Sequence, residues 1–260
     1  MRVAEEERSD RVNKFYNFKS DNESDELYLY GAIVSDKWDD TEVDFMDFKN
    51  AIENLKSNTL NIYVNSPGGD VFTTSSIVSF LQRAKDKGIT INAYIDGLGA
   101  SCSSWLPMIS DNVYIYEQSV LMIHKPMSFA YGNSNELAKT IEILDKLEDE
   151  VIIPLYMKKC KKSKEEIKNL IDKESWFTSK EIADLFDVTL LSDERKIACC
   201  VDDELFKKYK NVPKSLLEAD DKVKTNNKVE QEADKLRQEK LNNINKELEL
   251  IKAEIEVLAM

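Results

Sequence analysis

Three serines, Ser101, Ser103 and Ser104, fall within four positions of the stretch DGLGASCSSWLPMIS, residues 96–110. The only histidine of the chain, His124, follows in MIHKP. A serine hydroxyl is a weak nucleophile and needs an adjacent base to take its proton. That base needs an acid to fix its tautomer, and the oxyanion that develops needs aimed N–H donors. If acyl transfer operates here, His124 must be the base, because there is no other imidazole. The competing structural reading is a turn of small residues followed by a core histidine. Five of the seven glycines lie between positions 68 and 99, four of them at two turns, SPGGD and DGLGAS. Glycine at such turns permits positive φ and close backbone approach to a ligand.

Ser101, directly after Gly99-Ala100, falls at the first turn of an expected helix, where free amides and the helix dipole favour negative charge. Ser103 and Ser104 fall further into that helix, and Ser66 and Ser75 lie near the other glycine turn; these read as structural or capping residues. The GASCS spacing does not match the G-x-S-x-G nucleophile elbow. No G-x-x-x-x-G-K-[ST] loop, HExxH or clustered ligand set occurs, so neither ATP hydrolysis nor metal catalysis is expected of this chain, and no cofactor.

The elements that must hold these residues follow from periodicity. ELYLYGAIV (26–34), TLNIYVNS (59–66), ITINAYIDG (89–97), NVYIYE (112–117) and VLMIHKP (120–126) read as strands. EVDFMDFKNAIENL (42–55) and TSSIVSFLQRAKDKG (74–88) carry helical spacing. Strand–helix alternation implies crossover connections, hence an α/β fold with a mostly parallel sheet whose sites lie at the carboxyl ends of strands. Residues 133–173 read as helices, and WFTSKEIADLF (176–186) as a turn with Thr178 or Ser179 capping another. Residues 1–25 are polar and expected to be a flexible segment, ahead of a main domain over 26–200. After a linker at 201–228, the 229–260 stretch spaces Leu241, Ile244, Leu248, Ile251, Ile255 and Leu258 at intervals of 3, 4, 3, 4 and 3, an a/d seam expected to form a coiled-coil extension.

The chain has 260 residues, 42% of them hydrophobic, enough for a sizeable core. Its formal charge of −13 disfavours nucleic acid and acidic membrane surfaces as partners. The charged MRVAEEERSDRVNKF start carries no apolar signal region, and no run of about 18 apolar residues suggests a membrane span. Cys102, Cys160, Cys199 and Cys200 show no zinc spacing and fit a reduced, cytoplasmic setting.

IYVNSPGGDV, DGLGASCSSWL, LMIHKP and ESWFTSKEIADL, in this order and at these separations, resemble the Clp protease proteolytic subunit over about residues 27–195. ELYLYGAIVSDKWDDTEV and AYGNSNEL look most like the phage and prophage head maturation branch. The resemblance implies a crotonase-like fold of repeated strand–helix units with a handle strand, SFAYG, and handle helix at about 127–160. It implies serine endopeptidase activity in a homo-oligomeric ring, seven-membered or a stacked double ring, acting on protein or peptide substrate. Carried over residue by residue, Ser101 would be the nucleophile and His124 the base. The backbone amides of Gly69 and Cys102 would hold the oxyanion. Glu174 would be the acid, with Asp172 as the alternative. Glutamate stands where the family has aspartate, Ser103 and Phe186 where glycines are usual. Partners implied are capsid or scaffold proteins, in the host cytoplasm or assembling proheads. An AAA+ unfoldase is the alternative, which the N-terminal segment does not favour. An inactive structural subunit and a crotonase-type acyl-CoA enzyme are the minor readings.

Overall fold

A computed structural model describes residues 16–20, 23–38, 42–192 and 209–213. The chain divides into two units, Met1–Val212 and Pro213–Met260, and the site lies in the first. Its sheet is built on four parallel strands, β2 (Asp25–Tyr30), β5 (Thr59–Ser66), β6 (Thr90–Ala100) and β7 (Asn112–Ile115). The short β3 (Ala32–Ile33) and β4 (Glu42–Val43) pair apart from it. At one edge β1 (Tyr16–Ser20) runs antiparallel to β2; at the other, β10 (Thr189–Leu190) runs parallel to β7.

The strands alternate because only one face is fully covered. Leu27, Leu29, Leu60, Ile62, Val64, Ile91 and Ile95 are buried, packed with Phe48 and Ala51 of helix α1 (Phe45–Glu53) and Ile77 and Leu81 of α2 (Val71–Asp86). Each such aliphatic side chain stabilises the fold by about 2 kcal/mol. Both helices start on aspartate caps. Asp44 shares a capping box with Asp47, and Asp70 accepts from the Thr73 amide at 2.7 Å. On the opposite face Tyr28, Tyr63, Tyr94 and Tyr114 stack at centroid separations of 4.6, 4.9 and 4.7 Å.

β6 carries the fold's main irregularity. Asn92–Ile95 pair with β7, but Leu98–Ala100 pair with β8 (Val120–Ile123), so β6 changes partner just before Ser101. β9 (Ser175–Thr178) then runs antiparallel to β8. Residues 101–104 form a 3-10 turn leading into the buried α3 (Trp105–Ile109). Helix α4 (Ser134–Leu147) passes through a π-turn at Glu148–Ile152 into α5 (Ile153–Met157). Two capping-box helices, α6 (Lys164–Asp172) and α7 (Ser179–Leu185), flank β9. Among the described residues no helix is long and apolar enough to cross a membrane.

The mixed α/β order with a mostly parallel sheet is the expected one, with local differences. Residues 26–34 form two strands broken at Gly31, because the chain leaves the sheet there so that Ile33 can bridge to Gly69. The 1–25 segment, expected to be flexible, supplies strand β1. The expected handle strand at SFAYG (128–132) is not a strand: its backbone has no ladder partner among the described residues, and Phe129 and Tyr131 stand 94% and 95% exposed. The expected coiled coil at 229–260 lies outside the described residues.

Candidate active site

Ser101 sits where β6 ends, and its backbone is left-handed, with φ of 54°. A non-glycine residue there is strained, a state that persists only where the surroundings enforce it. The enforcement is visible. Ala100 is held in the ladder to β8, and Ser103, one turn on, donates its hydroxyl to the carbonyls of Ser66 and Ala100 at 2.9 and 2.7 Å. The strained turn lifts the Ser101 hydroxyl out of the sheet to within 2.7 Å of His124 Nε2. The strand-to-helix elbow thus exists here without the G-x-S-x-G spacing.

The neighbouring serines are otherwise engaged. Ser103 and Ser104 are fully buried, and Ser104 is bonded to the Ser101 carbonyl and, at 2.7 Å, to the Tyr156 hydroxyl. Ser66 is buried, donating to the Gly31 carbonyl at 2.6 Å and accepting from the Gly68 amide at 3.1 Å. Ser75 lies on the first turns of α2.

The SPGG turn is pressed against the serine. A Cβ on Gly68 would lie 2.6 Å from the Ala100 carbonyl and 2.8 Å from Ser101 Cβ. One on Gly69 would lie 2.0 Å from the Ile33 carbonyl. Both glycines have positive φ, 84° and 151°. The turn is clamped to β3 by Ile33 N–H donating to Gly68 O at 2.9 Å and Asp70 N–H to Ile33 O at 2.8 Å. The Gly69 amide donates to Cys102 Sγ at 3.1 Å, and the Thr74 hydroxyl donates to the same sulfur at 3.1 Å. Burial pushes the Cys102 thiol up to about 11, so it is a neutral packing group. Its own amide nitrogen lies beside Gly68, at 3.0 Å from that Cβ position.

His124 follows β8 directly. Partial burial pushes its imidazole below the ordinary value, opposed by the nearby Glu174 charge. The β8–β9 register explains that neighbour. Ile123 pairs with Ser175, so one step outward His124 faces Glu174. Glu174 is the second non-glycine residue with positive φ, 50°, held where α6 turns into β9. No hydrogen bond or ion pair joins Glu174 to His124 among the described residues; Glu174 Oε1 instead accepts from the amides of Lys210 and Asn211, each at 2.7 Å. Asp172 ends α6 and pairs with Lys125 Nζ at 3.2 Å; Lys125 also binds the buried Glu148 at 2.7 Å.

Ser101, His124, Gly68, Gly69, Ile33 and Tyr209 line one cleft of about 500 Å³. Tyr209 was not singled out by sequence reasoning. The one signal for it is that it is the last aromatic residue before a tail that contains none. The arrangement can present a nucleophile bonded to a base, beside a glycine turn, in an open groove. A family model described as Clp protease matches residues 34–185, which takes in the SPGG turn, Ser101, His124 and Glu174 and stops short of Tyr209. With more than half of its length matched, the chain belongs to the Clp protease family, as a ClpP-like serine protease.

Proposed function

We propose that the chain is a serine endopeptidase in which Ser101, His124 and Glu174 are the triad and the Gly69 and Cys102 amides hold the oxyanion. The observation that carries this reading is the 2.7 Å bond between the Ser101 hydroxyl, on its strained left-handed backbone, and His124 Nε2. In the first half-reaction Ser101 Oγ bonds to the scissile carbonyl carbon while its proton passes to His124 Nε2. The carbonyl oxygen becomes an oxyanion beside Gly69 and Cys102, where losing one donor costs about 3 kcal/mol of barrier. Gly69 N–H must turn from Cys102 Sγ to reach it. The C–N bond then breaks, His124 returns the proton to the leaving amine, and water hydrolyses the acyl-serine by the same steps reversed.

Glu174 is the acid of choice because the β8–β9 register sets it opposite His124, whereas Asp172 is engaged by Lys125. Wild-type protein should be labelled by a fluorophosphonate probe at Ser101 and by nothing else. Ser101→Ala should abolish labelling, and a label appearing on another serine would sink the assignment.

We assign the natural role to phage or prophage head maturation, on the resemblance of residues 26–43 and 130–137 to that branch. A gene neighbourhood containing portal and capsid genes, and cleavage of that capsid protein by purified enzyme without ATP, is the expected outcome. A strict requirement for an unfoldase and ATP would replace this role with the housekeeping one.

A further inference from the structure

Tyr209, which lines the cleft, and Lys210 and Asn211, which follow it, lie outside the part of the chain that matches the family. Their contacts fall on three parts of the site. The Tyr209 hydroxyl donates to the Pro67 carbonyl of the SPGG turn at 2.7 Å. Its ring stands edge-on to His124, at 5.3 Å and 81°, and to Trp176 of β9, at 5.9 Å and 79°. The Lys210 and Asn211 amides both donate to Glu174 Oε1, and Asn211 Nδ2 donates to the Lys173 carbonyl at 3.0 Å.

These contacts treat the two halves of the triad differently. The Ser101–His124 bond is made. The bond from His124 to Glu174 is not, although the register sets them opposite; the carboxylate oxygen that carries hydrogen bonds is held by the two strap amides. Bonds from N–H to a carboxylate are the strong class, and two on one oxygen anchor it firmly. Without a carboxylate partner, imidazole is neither fixed in its tautomer nor stabilised as the cation it becomes during attack. Tyr209, meanwhile, shields the ring of the base and sits over the turn that carries Gly69.

Resting on the serine-peptidase reading above, we propose that Tyr209–Asn211 is an inhibitory strap: it covers His124 and holds Glu174 off the imidazole, and its displacement completes the triad. Because the strap belongs to the same chain, the inhibition is independent of protein concentration. Reactivity is then scaled down by the fraction of molecules in which the strap is displaced.

The test uses the full chain in three forms: wild type, Tyr209→Ala, which removes the cover, and Asn211→Pro, which removes one amide donor to Glu174. Two rates are read on each. One is fluorophosphonate labelling of Ser101. The other is carbethoxylation of His124 by diethyl pyrocarbonate, followed by its absorbance; His124 is the only histidine, so the signal is unambiguous. The expected result is labelling faster by about tenfold in both variants, with carbethoxylation faster by a similar factor in Tyr209→Ala, as for a strap closed in about nine molecules of ten. Unchanged rates overturn the strap. Slower labelling in both folded variants also overturns it and makes the segment a supporting wall of the site. If no form is labelled at Ser101, the peptidase reading falls separately; carbethoxylation still decides whether the segment covers the base.

Discussion

At the scale of single residues, the site depends on backbone forced into conformations that only dense packing maintains. Gly68 and Gly69 show the demand most plainly, since any Cβ there meets backbone atoms of Ala100 or Ile33 that cannot step aside. Gly69→Ala should therefore destabilise the fold by about 3 kcal/mol, from overpacking and positive φ together. Urea denaturation measures this; a loss under about 1 kcal/mol would mean that the SPGG turn is not clamped as described. Cys102 makes the opposite case, because only its backbone is assigned to the chemistry. Cys102→Ala should keep Ser101 labelling within about fivefold of wild type, since the amide is retained while Gly69 N–H loses its sulfur acceptor. His124 gives a pH prediction. Burial lowers its pKa in the folded chain, so the unfolded chain takes up the proton first as pH falls through about 6.5. Stability from this group is complete above that pH and declines below it. The single C2–H proton resonance of His124 should titrate with a midpoint below 6.5, and a midpoint above it would show that the acid already engages the ring in solution.

At the scale of elements, the register between β8 and β9 sets one of the two candidate carboxylates opposite the histidine. Ile123 opposite Ser175 brings position 174 to His124, while Asp172, two residues back, ends α6 on Lys125. In the Tyr209→Ala background, Glu174→Gln should lower kcat by about 10³ to 10⁴, the loss typical of a triad with a mis-set tautomer. Asp172→Asn should change it less than about threefold, as for a surface ion pair. The reverse order would transfer the acid's role to Asp172. Much of this level was legible in the sequence: the β5, β6 and β7 strands follow from alternation, β8 from its short apolar run, and the serine and glycine turns from their clustered small residues. What was not legible arises from distant contacts. The break at Gly31 exists because Ile33 pairs with Gly69, and the extension of β6 to Ala100 because β8 replaces β7 beside it. Tyr209 carries no local pattern at all. Its place over the site depends on its own bond to Pro67 and on the bonds from the Lys210 and Asn211 amides to Glu174, which no side-chain motif reveals.

At the scale of the whole molecule, the surface described is unfinished for a single subunit. Parallel sheets normally have both faces covered, yet here the face bearing the stacked Tyr28, Tyr63, Tyr94 and Tyr114 is only half-buried. Helix α4 buries none of its side chains and exposes Leu137, Ile141 and Ile143, and Phe129 and Tyr131 in the segment leading into it are exposed too. Exposed apolar groups this numerous within residues 129–143 mark an interaction surface. Clp proteases form rings, and this segment supplies an apolar surface for contact between copies. Its capping box at Asn133 and Glu136 keeps the helix formed without packing support, so it can be tested without unfolding the core. Ile141→Glu together with Phe129→Glu should lower the mass seen by light scattering while leaving the far-ultraviolet circular dichroism unchanged. A double variant with the wild-type mass would place the contacts elsewhere, with the tyrosine face as the next surface to alter. Because these substitutions leave Ser101 and His124 untouched, labelling of the dissociated subunit then reports whether assembly is needed to form the site or only to enclose it.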